Sequence, residues 1–157
     1  MDAIERDIAT FESLVPRGDE ASMVLKAHLI LEESLWKFLS ARLPEALVTS
    51  YRGENSPVSS GKALVQLAQA VASLDEIPIS NDAVVWDALY KVNSLRNKLA
   101  HELEPQRKKV VALMKDVCRL VLKDEPSEYP GRDFYHATML LVGYLAIDRE
   151  PMTMADV

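Results

Sequence analysis

The sequence predicts an all-α protein, an up-and-down bundle of five or six helices. Three observations carry this. Apolar residues recur at three- and four-residue spacing along most of the chain, strand-like alternation never lasts more than a few residues, and the breaks fall at Pro, Gly and Asp/Asn/Ser clusters suited to helix ends. With 157 residues, 48% of them apolar and only five glycines, there is material for one domain with a real core. The predicted domain covers residues 1–148, its core bundle about 1–123 and its last helix about 133–148, with 149–157 a frayed tail.

The first predicted helix places Ile4, Ile8, Phe11 and Val15 on one face and stops at Pro16-Arg17-Gly18. Asp19 is suited to cap the second, which runs to about Leu43 before Pro44. Its apolar residues, from Val24 and Leu25 through Leu31, Leu35, Trp36, Phe38 and Leu39, cover so much of the circumference that it should sit centrally. Residues 50–60 read as a polar loop. A third helix aligns Leu64, Leu67, Val71 and Leu74, and after Pro78 the Ser80-Asn81-Asp82 cluster opens a fourth. Pro105 suits the first turn of a fifth, with Val110, Leu113, Val117 and Val121 inward. Glu125–Gly131 is a turn-rich break before a last helix that is apolar nearly all round and is expected to close the bundle.

Composition narrows the function classes. A net charge of -6 argues against a protein that coats nucleic acid, because such binding needs a basic surface; a local basic patch would still serve an enzyme. The single cysteine, Cys118, excludes an intrachain disulfide and reads as core filling, and no Cys/His spacing suits zinc, so no metal or cofactor is expected. The N-terminus lacks a secretion-signal pattern, and the longest apolar run, Met139 to Ile147, falls short of the ~20 residues of a membrane span. A cytoplasmic protein without membrane contact is expected.

The chemistry concentrates in Arg96-Asn97-Lys98-Leu99-Ala100-His101, near the end of the fourth helix. Histidine exchanges protons near neutral pH, and arginine grips phosphate through two hydrogen bonds. At ~100° per residue, Val85, Ala88, Val92, Leu95 and Leu103 lie within about 40° of Leu99 and form a core stripe. Tyr90, Asn97 and His101 fall opposite, with Trp86 and Asn93 beside them. An outer face bearing Trp and Tyr predicts a second contact surface, so Trp86, Tyr90 and Asn93 are assigned to a homodimer interface. Arg96 lies about 140° round from His101 and roughly 7.5 Å along the axis, so a two-fold axis near Asn97 is expected to bring two Arg/His sets together.

Such a site suits RNA cleavage by transesterification. One imidazole takes the 2'-hydroxyl proton, another protonates the leaving oxygen, and Arg96 stabilises the added charge. Asn97 is the expected assistant. Lys91, Lys98, Arg107, Lys108 and Lys109 form the most basic neighbourhood and are the candidates for backbone phosphates.

The six-residue segment resembles the R-x(4-6)-H motif of the HEPN superfamily, helical domains common among prokaryotic toxins and defence nucleases. The resemblance covers about residues 1–123 as a helix pattern. It implies a dimeric, metal-independent endoribonuclease with Arg96 and His101 catalytic and Asn97 matching the polar residue that commonly follows the arginine. It also implies RNA as substrate and an antitoxin or regulatory protein as a partner. Toxins of this superfamily that pair with nucleotidyltransferase antitoxins often carry a modifiable tyrosine two places after the histidine; Leu103 stands there, so that regulation is not implied. The alternative is a non-catalytic helical regulator binding RNA, nucleotide or a protein through the same face.

Two further pairs stand out. His28 and Glu32 sit one turn apart on the central helix and read as a local rim pair, with Glu32 or Glu33 the expected acidic partner of Arg96. Arg132 and His136 read as a solvated helix start.

Overall fold

Six helices account for nearly all of the described chain in the computed structural model, which describes residues 20–53, 56, 58, 60–74, 82–101, 107–128 and 130–147. They are α1 (Glu20–Ser40), α2 (Glu45–Tyr51), α3 (Gly61–Leu74), α4 (Ala83–His101), α5 (Arg107–Leu122) and α6 (Gly131–Ile147). The all-α expectation holds: among the described residues there is no strand. The expected helix around residues 4–15, Asp19, Leu103, Pro105 and the tail lie outside the described residues. No described helix is long and apolar enough to cross a membrane.

Helix α1 is the hub. It packs against α6, α4 and α3, while α4 packs on α5 and α5 on α6, so α1, α4, α5 and α6 close a ring around the core. Val24, Leu39 and Phe38 of α1 meet Trp86, Val92 and Leu95 of α4, Met114 and Val117 of α5, and Phe134, Leu141 and Leu145 of α6 in one buried cluster. Fully burying side chains of this size contributes about 1.5–3 kcal/mol each. Cys118 is buried in the same cluster, as core filling requires. Helix α6 closes the bundle against α1 and α5, and Arg132 and His136 face solvent at its start.

The ends follow local chemistry. Asp82 Oδ1 accepts from the Val84 and Val85 N–H groups at 3.2 and 3.4 Å, and Ser60 Oγ accepts from the Ala63 N–H at 3.1 Å, so both α4 and α3 start on a side-chain cap. Helix α1 ends at Ser40, three residues earlier than expected, in a turn where Arg42 and Leu43 N–H groups return to the Leu39 carbonyl. The sequence reading contained no helix between there and the polar loop. Pro44 at its N-cap starts the seven-residue α2, which buries Val48 against α1. A helix this short has too few apolar positions to show a period.

Candidate functional site

Helix α4 is covered on two sides by its own chain. Trp86 is only 1% exposed and meets Phe38 of α1 edge-on, with ring centroids 6.4 Å apart. Tyr90 donates from its hydroxyl to Gln69 Oε1 of α3 at 2.9 Å, and Asn93 is 5% exposed. Trp86 and Asn93, expected at a dimer interface, are instead buried within their own chain, and Tyr90, expected beside them, is half-buried against α3. The second apolar face of α4 exists because α3 and α1 pack on it, a long-range arrangement that periodicity within α4 does not encode.

Helix α3 covers that face only in part. Tyr90 of α4 meets Gln69, the eighth residue after Gly61, whereas Asn93 lies against Gly61 itself, so the two helices run in opposite senses. Beyond Asn93 the face of α4 is uncovered, and a cleft of about 430 Å³ opens. Its walls include His28, Glu32 and Trp36 of α1, Ser60 and Gly61 at the start of α3, and Asn93, Arg96, Asn97 and His101 of α4. Behind His28 it adjoins an apolar recess of about 20 Å³ lined by Leu31, Leu35, Leu64 and Val92.

One chain thus gathers the whole motif. Arg96 and His101, expected to be brought together across a two-fold axis, line one cleft within a single chain. Asn97 and Asn93 occupy the middle of the arc, and Arg96 and His101 occupy its edges. The Arg96 side chain turns inward, its Nη1 donating to Asn97 Oδ1 at 3.3 Å. Asn97 therefore orients the guanidinium and keeps its amide N–H groups for another acceptor. His101 is exposed at the outer rim, at the C-terminal end of α4.

The acidic partners are distributed differently from the expectation. Glu33 accepts from Arg52 Nη2 at 3.0 Å, so it is engaged away from Arg96, and Arg52 also lies over the Trp36 ring at 5.3 Å. Glu32 Oε2 lies 3.7 Å from His28 Nδ1, the rim pair that the one-turn spacing predicts. Both members line the cleft that holds Arg96. Burial pushes the His28 pKa below its ordinary value; Glu32 opposes this, Arg96 reinforces it, and Asn93 favours the protonated ring. Asn93 Oδ1 is fully buried without a partner at hydrogen-bond geometry, facing the imidazole and the start of α3.

Gly61 is needed by this packing. A Cβ there would collide with Asn93 Oδ1 and lie 3.0 Å from His28 Nε2. The amino end of α3 carries partial positive charge, which together with Arg96 suits an anion in the cleft. Sequence reasoning missed Ser60, Gly61 and Trp36. The Ser-Gly pair opening a helix was the available signal, since a cap followed by a residue without a side chain leaves room for a neighbour.

The predicted phosphate-binding lysines stand elsewhere. Lys91, Lys108 and Lys109 are exposed on α4 and α5, Lys98 is half-buried, and none of the four is among the residues lining the cleft. The Arg107 side chain lies outside the described residues. Among the described residues no cluster of three or more His, Cys, Asp or Glu side chains could hold a metal ion. No family model, no curated protein and no solved structure matches the chain.

Proposed function

We propose that this protein is a HEPN-like, metal-independent endoribonuclease of a toxin or defence type. The observation that carries the reading is that Arg96, Asn97 and His101 line one cleft of about 430 Å³, room for a phosphodiester and its flanking groups. In this reading RNA lies across the carboxyl end of α4. Arg96, steadied by Asn97, holds the scissile phosphate and balances the charge that grows on it, and His101 at the open rim handles the leaving oxygen. Lys91, Lys98, Lys108 and Lys109 serve strand segments outside the cleft. The reading also includes a cytoplasmic setting, an antitoxin or regulatory partner, and pairing of two copies around the exposed end of α4.

The test is incubation of purified protein with mixed RNA in EDTA, beside His101→Ala. Fragments ending in 2',3'-cyclic phosphate from the wild type alone support the nuclease. Intact RNA after treatment with pure, folded protein overturns it. A second reading is favoured by the charge: at -6 overall, with Glu32 lining the same cleft as Arg96, a helical module that binds a nucleotide without cleaving it is the alternative. That module would show nucleotide binding weakened by Arg96→Ala and indifferent to His101→Ala.

A further inference from the structure

We propose that His28 is the second imidazole of this site, the general base, so that each chain carries a complete acid–base pair. The inference rests on the ribonuclease reading and deepens it. His28 belongs to α1 and stands 68 residues before Arg96 in the sequence, yet it lines the same cleft whose rim holds His101. Its Nδ1 faces Glu32 Oε2 at 3.7 Å, and its Nε2 lies on the Gly61 and Asn93 side. A neutral ring with its proton on Nδ1, turned toward the carboxylate, presents the Nε2 lone pair on the opposite side. Once Nε2 is protonated, Asn93 Oδ1, buried and otherwise without a partner, is the acceptor beside it. Glu32 and Asn93 are positioning residues: they act through the ring, one before and one after proton transfer.

The surroundings suit a base. The charged groups acting on the ring are Glu32 on α1 and Arg96 on α4; His101 of α4 and the uncharged Ser60 and Gly61 at the start of α3 line the same cleft. Burial, with Arg96 adding to it, pushes the His28 pKa down and favours the neutral ring, as proton abstraction requires. The step balances within one chain. Nε2 of His28 takes the 2'-hydroxyl proton, the 2'-oxygen bonds to phosphorus, and the bond from phosphorus to the 5'-oxygen breaks. His101, entering as imidazolium, gives its proton to that oxygen. The products are a 2',3'-cyclic phosphate and a 5'-hydroxyl, with His28 protonated and His101 neutral; water restores both.

A purely structural His28 would be replaced by glutamine at little cost in rate, so His28→Gln is the informative variant, with folding followed by circular dichroism and thermal melting. The expected result is a 10²- to 10⁴-fold loss of cleavage in EDTA with unchanged RNA affinity, and loss of the acid limb of the pH–rate profile. If glutamine distorts the fold, the profile of Glu32→Gln supplies the second measurement: its acid limb moves to lower pH, because the carboxylate that raises the His28 pKa is gone. Mixing His28→Gln with His101→Ala copies restores nothing when both imidazoles must belong to one chain. Active wild type with a fully active, folded His28→Gln, or recovery of activity on mixing, overturns this inference and leaves the nuclease standing. Inactive wild type overturns the nuclease reading and His28 with it.

Discussion

Gly61→Ala is a sharp test of how the cleft is built. At an ordinary first helical turn, alanine in place of glycine stabilises by about 0.4–1 kcal/mol, because it narrows the unfolded ensemble. Here the new methyl would run into Asn93 Oδ1 and sit 3.1 Å from Asn93 Cγ and 3.0 Å from His28 Nε2. Neither neighbour is the loose end of an exposed chain: Asn93 is buried, and His28 is held between α1 and α3. Forcing one extra carbon into packed surroundings costs about 1–3 kcal/mol. The balance is a net loss of about 1–2 kcal/mol. At roughly 2–4 °C per kcal/mol for a chain of this size, the melting temperature falls by about 2–8 °C. Urea unfolding of the two proteins measures it directly. The explanation also fixes a partner: in an Asn93→Ala background the obstructing oxygen is absent, so the double variant should recover most of the loss, a coupling of at least about 0.5 kcal/mol. A Gly61→Ala protein as stable as the wild type, or strictly additive behaviour with Asn93→Ala, would refute the packing argument.

Three other expectations can be checked on the same preparations. Lys123, just past the end of α5, has φ 61° while its N–H returns to the Arg119 carbonyl, so Lys123→Gly should stabilise by about 0.5–1 kcal/mol in urea unfolding, and a loss would mean that the lysine side chain matters there. Burial, with Asp133 adding to it, pushes the Cys118 thiol up to about 12, so Ellman's reagent at pH 8 should label the native protein only as fast as it unfolds; rapid labelling without denaturant contradicts this. His28 has its pKa depressed in the folded state, so its contribution is fully present above the ordinary imidazole value of about 6.5 and is lost as the pH falls through the lower folded value. Stability measured from pH 7 to 5 should fall less steeply in His28→Gln; identical slopes would remove burial of the neutral ring from the account.

How much the sequence disclosed depends on the range of the interaction. The stripe Val85, Ala88, Val92 and Leu95 was legible because an α-helix repeats its inner face every three to four residues, and all four are buried. The caps Asp82 and the break at Pro44 were legible as local chemistry. The fate of the other face of α4 was not. Trp86 and Tyr90 announce that something covers them, but a partner copy and a distant helix of the same chain leave the same mark on that helix. The motif residues were found from their side chains and their spacing; their convergence with His28 needed the packing of α1 on α4. His28 and Glu32 were recognised as a pair because one turn separates them. That they share a cleft with Arg96 was not, since nothing within α1 records which neighbour it will meet.

The cleft owes its existence to the point at which α3 begins. Gly61, the first residue of α3, lies against Asn93, and α4 runs on for eight residues to His101, so at about 1.5 Å per residue about 12 Å of the longer helix is left bare. Little else distinguishes this end of the molecule from an ordinary filled groove. Two more helical turns ahead of Gly61, about 11 Å, would roof most of the opening while leaving the ring of four helices untouched. Presence of the site and integrity of the scaffold are thus set by different parts of the chain. An insertion of about seven helix-forming residues before Gly61 would convert a site-bearing bundle into a plain one, and deletions in the same stretch would widen the aperture to larger guests.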